Sequence, residues 1–255
     1  ALLADMTAPG IRGAAFGLRQ ALDTVGAFAG PLLAIALMAL TGNHFRTVFW
    51  FAVIPAAISV AVLLAFVHEP ARAPAARANG RLAWHDGFTN LGAAYWRVVA
   101  VATLFTLARF SEAFLVLKVT DVGVGATLVP LVLVVMNVVY ALSAYPAGYV
   151  SDHLGRWGVL AAGAASLVVA DLVLAFAATP FAALAGVAVW GLHMGFTQGL
   201  FAALVADVAR AEHRGTAFGV FNLMTGVALL AASALRSEEH TSELQFHLNL
   251  VCRLL

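Results

Sequence analysis

Residues 1–18, ALLADMTAPGIRGAAFGL, align without gaps on residues 203–220, ALVADVARAEHRGTAFGV, with nine of eighteen positions identical. The identities include Asp5 with Asp207, Arg12 with Arg214, Gly13 with Gly215, and Phe16-Gly17 with Phe218-Gly219. Charged residues and glycines at matched spacing are not the background of an alanine-rich chain. The match therefore reads as an internal repeat with an offset of 202 residues.

What lies between the copies is mostly apolar. A bilayer core about 30 Å thick needs about 20 apolar residues per helix. That length divides the chain into seven segments, at 15–40, 47–67, 95–118, 124–147, 157–178, 181–205 and 216–235. Each copy leaves one helix, turns and enters the next, so the repeat preserves orientation and has a period of six helices. The fold class expected is an all-α integral membrane bundle made of two pseudo-symmetric six-helix halves, of which this sequence holds a part. Ala1 to Asp5 read as the last turn of a helix, and the first residues lack the pattern of a signal peptide.

Composition points the same way. Of 255 residues, 62% are hydrophobic and 11% charged, against about 45–50% apolar and about 25% charged in a soluble domain. A net charge of +1 gives no basic field to hold nucleic acid. The single cysteine, Cys252, permits neither an internal disulfide nor a thiolate metal cluster. No metal site or cofactor is expected.

The expected domains are 1–67, the end of a first bundle; 68–94, a Pro-, Ala- and Arg-rich linker; and 95–235, a second bundle. Basic residues sort by loop. Arg12, Arg72, Arg77, Arg81, Arg97, Arg156, Arg210 and Arg214 fall on one side, against Arg46 and Lys118 on the other, which places the first set in the cytoplasm. Residues 236–255, RSEEHTSELQFHLNLVCRLL, cut the last apolar helix with Ser-Glu-Glu-His. Their first half reads like an in-frame translation of a sequencing-library adapter, and the tail is set aside as an artefact.

The string from Gly148 to Trp157, GYVSDHLGRW, is expected to form the turn after the fourth helix. Gly148 permits close helix approach, Gly155 a tight turn, and Asp152 can meet a helix N-terminus or a nearby arginine. The string resembles the loop signature of the major facilitator superfamily, Gly-x-x-x-Asp-(Arg/Lys)-x-Gly-(Arg/Lys)-(Arg/Lys). His153 and Trp157 stand at two of its basic positions, so Arg156 is the one fixed cation there. The resemblance implies a twelve-helix transporter, with the seven segments as its helices five to eleven. It also implies a cytoplasmic gate built from Gly148, Asp152, Gly155 and Arg156 with Asp5, Arg12, Asp207 and Arg214. One ionic cluster of Asp152, Arg156, Asp207 and Arg214 is expected; helix capping and positive-inside anchoring account for the same residues without a gate.

The first full helix carries Gly17, Gly26, Gly30 and Pro31. This is similar to the antiporter motif of drug-efflux members, Gly-x8-Gly-x3-Gly-Pro-x2-Gly-Gly, with Ala34 and Ile35 where the motif closes on glycines. Gly26 and Gly30 are expected to form a close-packing face, with a bend at Pro31. Ordinary helix packing explains the glycines equally.

Polar residues inside a membrane are candidates for function. Arg19 and Asp23, at i and i+4, and Arg109 and Glu112, at i and i+3, read as two cation–carboxylate pairs. They read either as proton-exchange sites or as buried ion pairs that fix packing. Asp171 stands alone on its helix, and His193 reads as a proton relay or an interhelical hydrogen bond. Asn137, Tyr140, Gln198 and Asn222 can contact substrate or tie helices together.

These readings favour a proton-coupled secondary transporter in the cell (inner or plasma) membrane, multi-pass and monomeric when complete, that exports small organic solutes. The resemblance supplies the coupling and the direction. Its partners would be a small-molecule substrate, protons and the lipid bilayer. Uptake symport of a metabolite is the second transport reading, and a non-transporting sensor or scaffold a third. No HExxH, GxSxG or GxxxxGK[ST] string supports an enzyme or an ATP-driven pump.

Overall fold

The computed structural model describes residues 1–42, 44–66, 91–109, 112–124 and 129–232, and these form helices and short turns. The short α1, Leu2–Met6, leads through a 3-10 turn at Pro9–Ile11 into α2, Arg12–Leu40. Next come α3, Phe45–Phe66; α4, Ala93–Ala108; α5, Glu112–Asp121; and α6, Val129–Leu154. Then α7, Arg156–Phe176, and α8, Pro180–Val208, lead through a second 3-10 turn, Ala211–His213, to α9 at 214–232. Six of the helices are long and apolar enough to cross a membrane. Most of the expected linker and the whole tail, residues 236–255, lie outside the described residues.

Helix α8 is the axis of the bundle. It packs on α7, α6, α2 and α4, because its small residues let neighbours approach on several sides. A Cβ on Gly191 would strike the Met136 carbonyl of α6, and one on Gly199 would sit 3.2 Å from the Cα of Gly17 in α2. Two apolar clusters flank it. Tyr95, Val98 and Val99 of α4 pack with Leu200, Leu204 and Val205. On the other side Val132 and Met136 of α6 pack with Val187, Trp190 and Met194. By contrast α3 packs chiefly along α2 and leaves Phe49, Trp50 and Phe66 exposed. Apolar surface of that extent belongs in hydrocarbon.

Three expectations change. The helix expected at 95–118 is two helices, because the backbone at Arg109 turns extended (φ −71°, ψ 123°) after α4. Arg109 and Glu112 are therefore not neighbours on one helix. They sit instead at a helix C-terminus and a helix N-terminus, where a cation and a carboxylate respectively complement the backbone dipoles. Second, the string from Gly148 to Leu154 is helical and belongs to α6. Only Gly155, at φ +95°, breaks the chain before α7, since a left-handed residue ends a helix and glycine takes that conformation without steric cost. Third, a Cβ on Gly26 or Gly30 would meet nothing within 4 Å among the described residues. The close approach lies nearer the start of α2, where a Cβ on Gly17 would strike the Ala144 carbonyl. Helix α2 runs through position 31, and the Pro31 side chain lies outside the described residues.

Candidate functional site

Two arrangements of polar residues occupy the bundle. The first is at its arginine-rich end. There α2 begins beside the last turn of α6, and a Cβ on Gly148 would strike the Gly13 carbonyl. That approach brings the Asp152 carboxylate under the start of α2, where it accepts from the backbone N–H groups of Gly13 and Ala14 at 2.8 Å each. A carboxylate on two unsatisfied N–H groups at a helix start is doubly favoured, by hydrogen bonding and by the helix dipole. Arg156, one helical turn further on and just past the Gly155 break, holds Asp152 at 3.3 Å and reaches across to Asp207 at 2.5 Å.

The repeat then closes on itself. Arg12 donates to the Asp207 carboxylate at 3.1 Å and to the Ala206 carbonyl at 3.2 Å. Its counterpart Arg214 donates to the Asp5 carboxylate at 2.5 Å and to the Ala4 carbonyl at 3.4 Å. Each partner of Arg214 is thus the counterpart of a partner of Arg12, which is the signature of a two-fold contact. The expected cluster needs one correction. Asp152, Arg156 and Asp207 form a continuous chain, but it ends on Arg12. Arg214 pairs with Asp5, because each copy's turn carries its arginine over the helix end of the other copy. The two groups meet at the Ala4 carbonyl, which also accepts from Arg12 at 3.3 Å.

The second arrangement is a cavity of about 260 Å³ between α4, α8 and α9. Arg109, His193, Gln198 and Asn222, four of the residues singled out from the sequence, line it together. Thr106, Thr197 and Thr225 add hydroxyls, and Phe105, Phe201 and Phe221 supply aromatic wall. The threonines were not singled out, although Thr197 adjoins Gln198 and Thr225 falls three residues after Asn222, on one helix face. His193 is buried, and its Nδ1–H donates to the Gly163 carbonyl of α7 at 2.8 Å. That interhelical bond fixes the ring, which stacks near Phe105 at 6.2 Å between centroids.

The remaining candidates lie elsewhere. Arg19 and Asp23 pair at 3.9 Å on α2, but their side chains are 59% and 65% exposed, so this is no buried pair among the described residues. Their face of α2 points away from α6 and α8, whose contact with α2 runs through Gly13, Gly17 and Thr24. Tyr140 is buried in α6 beside Thr24, within electrostatic reach of Asp23, Arg109 and Glu112. The Asn137 side chain donates to its own helix, at Leu133 O. Asp171 lines a different cavity of about 270 Å³, nearly all apolar, with Phe114, Lys118 and Trp190. One of its carboxylate oxygens is buried without a hydrogen bond among the described residues.

Comparison with known proteins gives a consistent picture. The sequence pattern of the Major Facilitator Superfamily matches residues 1–233. An uncharacterized MFS-type transporter of Methanocaldococcus jannaschii is 25% identical over 231 residues, 88% of this chain and 57% of that protein. Uncharacterized proteins of Mycobacterium bovis and Mycobacterium tuberculosis are each 27% identical over 228 residues, 88% of this chain and 55% of theirs. The chain spans about half the length of the curated relatives it matches.

Proposed function

The chain belongs to the Major Facilitator Superfamily, and from that premise we propose that it is the working core of a secondary active transporter of small organic solutes. Two six-helix halves rock about a central cavity by alternating access, and efflux is driven by protons moving the other way. The observation that carries this reading is the reciprocal pairing of Arg12 with Asp207 and of Arg214 with Asp5. These four residues come from the two copies of the repeat, so their ion pairs join the halves at one end only. Such a contact has two states, made or broken, and supports a latch that shuts the cytoplasmic mouth while the opposite mouth is open.

Asp152 and Arg156 brace the latch. Asp152 ties the start of α2 to the end of α6, and Arg156 passes that restraint to Asp207. The polar cavity bounded by α4, α8 and α9 is the second half's share of the solute site. Asp23, held by Arg19 on an uncovered face of α2, is the proton carrier in this reading. Substrate passes through and leaves unchanged, so the site needs orientation and release, not a nucleophile.

The test is reconstitution of the protein, expressed from its complete gene, in liposomes with an imposed pH gradient and a panel of labelled organic solutes. An antiporter drives a solute against the proton gradient, whereas a symporter drives it with the gradient. Asp23→Asn is expected to abolish the response to pH while leaving downhill solute exchange in place. Coupled transport unchanged in Asp23→Asn would remove Asp23 from this role.

A further inference from the structure

The lining of the α4, α8 and α9 cavity narrows the class of solute. Arg109, Gln198 and Asn222 bring N–H donors to its lining, and among the described lining residues the one fixed charge is the Arg109 guanidinium. Among the described residues that line the cavity there is no carboxylate. Glu112 begins α5 and Asp23 stands on α2, and neither is part of the lining.

The backbone explains why Arg109 can serve here. Because α4 stops at Ala108, Arg109 is not held in a helical stack. Its guanidinium has five N–H donors in a fixed fork, so contacts made elsewhere still leave donors for a planar two-oxygen anion. The amides of Gln198 and Asn222 supply donors beside it. Thr106 and Thr225 each donate to a carbonyl of their own helix, Ala102 and Phe221, so the donors left for an anion are the guanidinium and the two amides. Phe105, Phe201 and Phe221 line the same space with apolar ring surface. The described residues enclose about 260 Å³ here.

We infer that the solute handled at this cavity is a small organic anion, a monocarboxylate with a ring or short apolar body, whose carboxylate is held by Arg109 with Gln198 and Asn222 and whose body lies against the phenylalanines. This deepens the transport reading and rests on it for the statement that the anion is moved as well as bound. An organic cation of the same size would meet the like charge of Arg109 and, among the described lining residues, no carboxylate.

The probes are radiolabelled benzoate and benzylamine, which share a ring and carry opposite charges at neutral pH. Equilibrium dialysis on the purified protein measures binding, and counterflow in proteoliposomes measures movement. Benzoate is expected to bind at least about tenfold more tightly than benzylamine, and Arg109→Gln to weaken benzoate by about tenfold or more while Arg109→Lys retains part of it. The comparison of the two probes on the unmodified protein needs no variant, so a misfolded Arg109→Gln does not rescue the idea. Equal or tighter binding of benzylamine, benzoate binding indifferent to Arg109→Gln, or binding of neither probe overturns the inference. Benzoate bound through Arg109 yet never exchanged leaves the anion site standing and removes the transport reading. Benzylamine exchanged while benzoate is ignored does the reverse.

Discussion

Phe16 stacks on Phe218 with 6.0 Å between ring centroids and 24° between ring planes, and the two are the same position of the repeat. A residue that touches its own counterpart lies on the two-fold axis relating the copies. Around that axis Ala4, Ala203 and Ala206 complete a small apolar cluster, with the crossed pairs of Arg12 and Arg214 outside it. The arginine contacts are therefore mirrored in pairs, but their surroundings differ. The Arg12 side chain is 8% exposed against 12% for Arg214, and Asp207 has a second cation in Arg156.

That asymmetry predicts unequal costs. Arg12→Gln takes the cation from Ala206 O and from one oxygen of Asp207 in a buried setting and is expected to cost about 3 kcal/mol. Asp5→Asn leaves Arg214 its carbonyl contact and a partly open site, and is expected to cost about 1 kcal/mol. Thermal unfolding of the purified protein in detergent reads both. Equal losses would mean that the extra partners of Arg12 and Asp207 do not set the two pairs apart.

Replacing Asp152 by Asn keeps the shape but presents an N–H₂ group to one of the two backbone donors of Gly13 and Ala14. The result is a donor facing a donor at the start of α2, together with a weakened hold on Arg156. We expect a loss of about 2–3 kcal/mol. Faster hydrogen exchange at Gly13 and Ala14 is the specific signature. A variant with unchanged exchange there would refute the cap.

Glycine substitutions should divide by position. Gly148→Ala and Gly17→Ala push a methyl group into a backbone carbonyl and are expected to cost about 1–3 kcal/mol each. Gly26→Ala and Gly30→Ala meet no described atom and gain helix propensity, so they should be neutral or stabilising by up to about 1 kcal/mol. Melting midpoints of the four variants decide the matter, and a loss at Gly26 like that at Gly17 would count against it.

Asp171 is expected to behave as a structural burden and not as part of the transport machinery. One of its oxygens has no hydrogen bond among the described residues and lies in an apolar cavity apart from Arg109 and His193. Asp171→Asn should keep or raise the melting midpoint and leave pH-driven solute movement intact. Loss of coupling in that variant would place the residue on the proton route.

Sequence carried the architecture further than the chemistry. The repeat located the residues of the crossed ion pairs, because a two-fold arrangement must place matched positions near one another, and Asp5, Arg12, Asp207 and Arg214 are matched. It did not say which arginine takes which carboxylate, since crossing and non-crossing pairings have the same spacing. Helix periodicity failed at Arg109, where a polar interruption within an apolar run reads equally as an i, i+3 pair and as a break. Gly26 and Gly30 look like Gly17 in the chain, and only the path of α6 distinguishes them. The cavity draws residues from three helices, so Arg109, His193 and Asn222 converge through packing that no local pattern records.

Where Gly199 of α8 faces Gly17 of α2, backbone meets backbone with no side chain between. Interlocked side chains act as teeth, and a seam without them is a bearing: one surface can turn on the other without a rotamer changing or a knob leaving its hole. In the transport reading proposed above, a seam of that kind leaves the hold on the closed form to the ionic contacts at the rim, those of Arg12 with Asp207, Arg214 with Asp5, and Arg156. On that reading the speed of switching would follow charge and salt, and altering the rim alone would retune it with the bearing left untouched.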